Sequence, residues 1–386
     1  MSAVDLARLQ FALTTSFHFL FVLLTLGLVT LLVVVQTRFT ITGAPVHERM
    51  TRFWGRIYVI NYALGIVTGV VMEFQFGLNW SGLGTFAGDV FGAPLALETL
   101  IAFFLESTFL GLWIFGWGRL NRWLHLSLLW LTALTAFASA FWIMAANGFL
   151  HHPVGHRLDG TVLRLDDFGA LLTNPAFTSA MVHVVFASIT AGGVFMTGVS
   201  AYHFIRRTPE TDFFRRSLRL GVVTTALATP PLVAAGFAQF PVIARVQPGK
   251  GEAVPWIGAP LGFMILIGMA LVVASWLTLP LLIRDAVIRL RFPLHLMVIG
   301  IPLPFAAAIF GWLFREIGRQ PWLVQGLLRT EDAVSHVDAS QILLSLIVFT
   351  SLFALLAVTD WVLIARAVRR GPDVTPAPVS PLVVTL

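Results

Sequence analysis

The chain has 386 residues, of which 57% are hydrophobic and only 11% charged, and its mean hydropathy is +0.86. Soluble domains carry about 25% charged residues, so a polytopic membrane protein is expected and a large soluble domain is excluded. The 25 basic residues outnumber 19 acidic ones and are nearly all arginine, Lys250 being the single lysine. In a membrane chain that excess records topology and contact with anionic lipids, not with nucleic acid. No cysteine is present, which removes disulfides, thiolate metal sites, iron–sulfur clusters and covalently attached c-type haem.

A bilayer core takes about twenty predominantly apolar residues per helix. In chain order, nine segments meet that length: 11–36, 56–78, 94–117, 123–148, 176–204, 217–242, 257–283, 291–314 and 340–365. Together they predict one all-α membrane domain over 1–370. The N-terminal MSAVDLARLQFALTTSFHF lacks a small-residue cleavage site after its apolar run, so the first helix is expected to be retained. Residues 371–386 form a proline-rich tail, expected to be disordered. Of the 25 basic residues, 17 fall in the connections after the first, third, fifth and seventh helices or near the C-terminus, and 8 on the other side. The positive-inside rule then places the N-terminus outside and the C-terminus in the cytoplasm.

Ionisable groups inside spanning helices are costly and by default suggest function. His18 lies early in the first predicted helix, Glu98 and Glu106 on the third, His183 early in the fifth, Met264 in the first turns of the seventh, and Glu316 at the end of the eighth. With the orientation above, all six fall near the outer leaflet although they come from five helices. Eight residues separate Glu98 from Glu106, which places both on one helix face at different depths. Histidine and methionine without cysteine suit haem iron. Arginines at the outer ends suit bidentate bonds to haem propionates. Taken singly, each site has a plainer account: an interhelical hydrogen bond for His18 or His183, core packing for Met264. Glu73 is expected to face the aqueous boundary. His47, His125, His151, His152, His156, His203, His295 and His336 fall at helix ends or loops and read as interfacial.

Several long strings carry a family resemblance: RLQFALTTSFHFLFV (8–22), GRIYVINYALGIVTGVVMEFQFGLNWS (55–81), FGAPLALETLIAFFLESTFLGLWIFGW (91–117), ANGFLHHPVG (146–155), VHVVFASITAGG (182–193) and GRQPW (318–322). In this order, and on these helices, the chain resembles subunit I of cytochrome bd-type quinol oxidases. The resemblance implies a nine-helix subunit with two haems b and one haem d near the outer face, reducing O2 to water in a bacterial cytoplasmic membrane beside a second membrane subunit. It implies His183 and Met264 as axial ligands of the low-spin haem. His18 and Glu316 would be the proximal ligands of the two high-spin haems, in an order left open. Glu98 would sit beside the oxygen-reactive haem. Glu106, Ser107, Ser139 and Asn147 match positions that conduct protons from the cytoplasm, where carboxylates can carry protons through hydrocarbon without a permanent charge. Trp312 matches an aromatic between haems, and Arg8 and Arg319 are candidates for the propionates.

Two departures bear on the electron donor. The family's long quinol loop between the sixth and seventh helices is here little more than PVIARVQPGKGEAVPW. Within it QPGK makes Lys250 the matching quinol residue, while the family's following glutamate has no counterpart, Glu252 lying too close to Lys250. Gly262 stands where the family places an arginine, two residues before the ligating methionine. The alternatives kept open are a divergent member with a non-quinol donor, and an O2-inactive electron carrier or redox sensor. A transporter is the weakest, since transporters place substrate groups near the midplane and often show repeats.

Overall fold

The structure, a computed structural model, describes residues 1–373. The predicted tail is thus described only to Asp373, and 374–386 lie outside the described residues. In chain order the helices are α1 (Ala3–Thr42), α2 (Pro45–Asn79), α3 (Ser81–Leu97), a π-helical turn (Glu98–Phe103), α4 (Phe104–Phe115), α5 (Arg122–His151), α6 (Phe168–Leu172), α7 (Pro175–Ile205), α8 (Thr211–Val246), α9 (Gly258–Thr278), α10 (Ala286–Arg289), α11 (Arg291–Ile299), α12 (Leu303–Ile317), α13 (Thr330–Ala333) and α14 (Ala339–Arg370). Among the described residues these make nine spans long and apolar enough to cross a membrane, one for each predicted segment. The fold is the expected all-α bundle. Most observed helices overrun their apolar segments. The Ser2–Asp5 capping box starts α1 eight residues before its apolar run, and Gly43 ends it in a left-handed conformation.

Two helices form the centre. The most apolar windows of the spans containing α1 and α7 are 67% and 61% buried, against 17–39% for the other seven. Between apolar helices in lipid there is no hydrophobic driving force, so close packing has to hold them. The α1–α7 crossing supplies it: a Cβ on Gly27 would overlap the Ser188 carbonyl and Gly192 of α7, and one on Gly192 would meet the Gly27 backbone. Three prolines lie inside α8 (Pro230, Pro231 and Pro241). Pro230 has no N–H for the carbonyl four residues back, at Ala226, and the Trp276 indole of α9 donates to that carbonyl instead at 3.1 Å. Proline thereby becomes an interhelical contact.

The two ends of the bundle differ. At one end, short β-hairpins, β1 (His156–Asp159) with β2 (Val162–Leu165) and β3 (Trp322–Val324) with β4 (Leu328–Arg329), lie in the connections that follow α5 and α12. They are stitched to the helix ends: the Gln325 N–H donates to the Leu150 carbonyl, the Ser335 N–H to the Asn79 carbonyl, and the Leu165 N–H to Asp89. The opposite end is held by arginine–carboxylate pairs such as Arg49–Glu210 at 2.8 Å and Arg219–Asp285 at 2.7 Å. Early residues of α1, α7 and α9 and late residues of α2, α5, α8 and α12 therefore share the hairpin end.

Candidate functional site

Two cavities open inside the hairpin half of the bundle. The larger, about 590 Å3, is lined by His18, Glu73, Glu98, Glu106, Ser139 and Asn147 among others. The smaller, about 170 Å3, is lined by His183, Met264, Gln247, Lys250 and Arg315. Trp312, Phe19, Met144 and Val184 line both and form the partition. Phe19 tilts against Trp312 with ring centroids 4.8 Å apart. The structure thus gathers nine of the predicted residues onto two adjoining spaces with one tryptophan between them.

Each histidine facing a cavity has one nitrogen committed. His183 Nδ1 lies 3.0 Å from the Leu232 carbonyl, which can only accept, so in the neutral ring Nδ1 carries the proton. His18 Nδ1 lies 2.9 Å from Thr68 Oγ1, and that hydroxyl donates its own hydrogen to the Gly65 carbonyl at 2.7 Å. Thr68 is therefore the acceptor, and His18 also carries its proton on Nδ1. Both rings keep a bare lone pair on Nε2, the arrangement that outer hydrogen bonds impose on a metal-ligating imidazole. His125 differs, with Gln36 on Nδ1 at 2.9 Å and the Trp113 carbonyl on Nε2 at 2.9 Å.

Each apolar-side donor also faces a glycine of a neighbouring helix. A Cβ on Gly69 would come within 3.3 Å of the His18 ring, one on Gly236 within 3.1 Å of the His183 ring, and one on Gly311 within 2.5 Å of Met264 Sδ. Any larger residue would crowd the donor. Among the described residues no group of three or more His, Asp or Glu is placed to hold a bare ion. Isolated single donors beside apolar space fit a macrocycle that brings its own four equatorial nitrogens and needs only axial ligands. His18, His183 and Met264 fit haem in this way.

The carboxylates divide the polar side chains around the larger cavity among themselves. Ser139 donates to Glu98 at 2.6 Å. The Thr99 hydroxyl lies within reach of Glu73 (3.0 Å) and Glu98 (3.2 Å). Glu73 therefore lines the cavity and does not simply face the aqueous boundary, its carboxylate met by the Thr99 hydroxyl of the π-helical turn. Glu106 is buried and, among the described residues, receives no hydrogen bond. Ser107 lies outside the cavity, 3.4 Å from the Tyr62 hydroxyl.

Glu316 is 6% exposed and lines neither cavity. It lies behind Asn147, which donates to its Oε1 at 2.8 Å, while Arg319 donates to Oε2 at 2.6 Å. Arg319 gives another N–H to the Leu323 carbonyl and keeps a buried Nε without a partner. Arg8 likewise has a buried, unpartnered Nε and lines neither cavity. Arg315, which the sequence reading left without a role, reaches the smaller cavity while donating to Asn147 at 2.7 Å and to the Ala176 carbonyl at 3.2 Å.

Four histidines read as interfacial are buried: His47, His125, His151 and His203. His151 is 1% exposed, with Nε2 3.1 Å from Glu316 Oε1 and Nδ1 3.2 Å from Gln247 Oε1. His125 sits in the core, and His203 stacks on Phe214 at 3.8 Å. Each lies near a helix end, but the connections fold over that end and exclude water, which position along a helix does not reveal. Lys250 lies in the connection Gln247–Val254 and is closed in: Nζ donates to the Arg315 carbonyl at 2.9 Å and to Gln247 at 3.3 Å. Burial, reinforced by Arg315 and opposed by Glu316, pulls its ammonium from the usual 10.5 down to about 7. The PVIARV run continues α8 to Val246, so this connection is shorter than the sequence alone suggests.

The family model "Cytochrome bd terminal oxidase subunit I" matches residues 6–259 and 253–372. The cytochrome bd ubiquinol oxidase subunit 1 of Bacillus subtilis is 34% identical, over 97% of this chain and 95% of its own. The cytochrome bd-II ubiquinol oxidase subunit 1 of Escherichia coli is 32% identical over 96% and 97%. The fold superposes on the bd oxidase structure from Geobacillus thermodenitrificans with a TM-score of 0.89, at 24% identity, covering 96% of this chain and 99% of that one.

Proposed function

The chain belongs to the cytochrome bd terminal oxidase subunit I family, a respiratory terminal oxidase subunit of the bacterial membrane, and from that premise we propose that it is the haem-bearing subunit of a quinol oxidase reducing O2 to water. The observation that carries the reading is the commitment of Nδ1 in both His18 and His183, which leaves each Nε2 lone pair free beside a cavity. His183 and Met264 would hold a low-spin haem b in the smaller cavity. His18 and Glu316 would hold a second haem b and a haem d. Bound haems supply the electron transfer and oxygen chemistry.

The chain's own residues do the rest. Gly69, Gly236 and Gly311 keep the donors uncrowded, Trp312 separates the two spaces, and Arg8, Arg315 and Arg319 offer cations to propionates. Glu106, Ser139, Asn147 and Glu98 line one cavity and form the route by which protons reach the oxygen site; Tyr62 lines it too, with Ser107 behind the Tyr62 hydroxyl. Lys250 hydrogen-bonds both Gln247 and the Arg315 carbonyl, so these three residues gather polar groups on the smaller cavity, as a quinol head group requires. The arginine asymmetry puts the hairpin end outside and the C-terminus in the cytoplasm. The partner is a second membrane subunit, with lipid around the rest.

The test is a reduced-minus-oxidised spectrum of the purified protein with a pyridine haemochrome assay. Bands of haem b and haem d are expected, and His183→Ala should lose the low-spin signal while keeping the high-spin ones. Lack of a haem d band overturns the three-haem assignment. Lack of any haem overturns the whole reading.

A further inference from the structure

A buried polar line joins the connection after α8 to the end of α12. Lys250 Nζ and His151 Nδ1 lie 3.3 and 3.2 Å from the same oxygen, Gln247 Oε1. The other edge of the His151 ring places Nε2 3.1 Å from Glu316 Oε1, whose partner oxygen is held by Arg319. Gln247 is 3% exposed and Arg319 4%, so water does not compete along the line. A backbone bond from the Gly251 N–H to the Gly318 carbonyl, 2.9 Å, fixes the loop on the same helix end.

The line connects the two cavities. Gln247 and Lys250 line the smaller one, whereas Glu316 sits behind Asn147 on the larger. His151 lines neither cavity and touches both sides, because a flat ring with one nitrogen on each edge spans two partners that a shorter polar side chain cannot reach together. Its ring turns as one rigid unit. A change at Gln247 that rotates it therefore alters the hydrogen bond at Glu316 Oε1. Buried networks of this kind act together and not as independent pairs.

We propose that His151 is a positioning residue that couples the donor end of the smaller cavity to the Glu316 carboxylate. Occupancy beside Lys250 and Gln247 changes how Glu316 is held. The inference rests on the assignment of Glu316 as an iron ligand and of Lys250 as a quinol contact.

The experiment compares Gln247→Ala, His151→Ala and the double variant in the purified complex, using a short-chain ubiquinol analogue as donor. Two quantities are read: the apparent KM, and the high-spin haem band that Glu316→Gln abolishes. Gln247→Ala should shift that band and raise KM. Gln247 touches neither Glu316 nor any proposed iron ligand, so a raised KM reports loss of its own donor contact, whereas a shift of that band has to pass through His151. The coupling expected between such sites is about five-fold or more. The double variant should shift the band no further than His151→Ala alone. An unmoved band in Gln247→Ala, or independent multiplying effects in the double variant, overturns the proposal. So does a fall in melting temperature across all variants with the band unmoved, which is what a purely structural histidine gives. If His151→Ala does not retain haem, His151→Gln replaces it, and the same two outcomes decide. If Glu316→Gln leaves every band intact, the ligand assignment fails, an outcome distinct from failure of the coupling.

Discussion

Removing Arg319 tests whether Glu316 sits in the molecule as a charge held by neighbours. The pair is at 2.6 Å with both side chains almost wholly buried, and breaking such a pair from one side costs about 3–5 kcal/mol because the other charge is left uncompensated. Glu316 would keep Asn147 at 2.8 Å and His151 at 3.1 Å. Hydrogen bonds to a charged group contribute about 1.5–3 kcal/mol each, which puts the expected cost of Arg319→Gln at the low end, about 3 kcal/mol. Glu316→Gln leaves the guanidinium stranded and should cost a similar amount. The double variant strands nothing, so its cost should fall well below the sum of the two. Mixed-micelle denaturant titration followed by tryptophan fluorescence reads all four proteins, with haem content measured alongside. Additivity within about 0.5 kcal/mol would refute the claim that the two charges compensate one another.

Other expectations follow from single contacts. Glu106→Gln should slow O2 reduction by about 10²-fold, the low end of what a positioned proton donor supplies, with haem content unchanged; unaltered turnover takes Glu106 off the proton route. Gly311→Ala drives a Cβ to 2.5 Å from Met264 Sδ, so the sulfur must move. A stability loss of about 1–3 kcal/mol and an altered low-spin spectrum are expected, and an unchanged spectrum would mean that Met264 is not a ligand. Lys250 has a folded pKa of about 7 against an ordinary 10.5, so between these values the unfolded chain binds more protons. Stability should therefore rise with pH from about 7 to 10.5 through this group. Lys250→Met should flatten that rise, and parallel pH profiles for the two proteins would contradict it.

The helices were legible because hydrocarbon tolerates so little: each of the nine apolar segments falls within, or nearly within, one of the nine spans among the described residues. Ionisable residues in lipid were equally conspicuous, which is why His18, His183, Glu98 and Glu106 stood out. Partnership was less visible. Asn147 and Ser139, grouped with Glu106 by the family resemblance, hydrogen-bond to Glu316 and Glu98, because which polar group meets which depends on helix rotation and not on depth. His151 and His152 are adjacent and identical in type, yet His151 is buried while His152 is half-buried. The segments that decide this, the Trp322–Arg329 hairpin and the Gln247–Val254 connection, are distant in sequence. Glu73 was misread for a similar reason, its neighbour Thr99 lying 26 residues on.

The π-helical turn at Glu98–Phe103 gives the third span one residue more than an unbroken α-helical ladder would hold. Deleting a single residue there would leave the span long enough to cross the bilayer and its hydropathy almost unchanged. Every side chain beyond the deletion would turn by about 100° relative to those before it, parting Glu98 from Glu106. Length and greasiness are thus forgiving in this helix, whereas its residue count is not: an insertion or deletion of one residue would be silent to the membrane and ruinous to the cavity that Glu98 and Glu106 line.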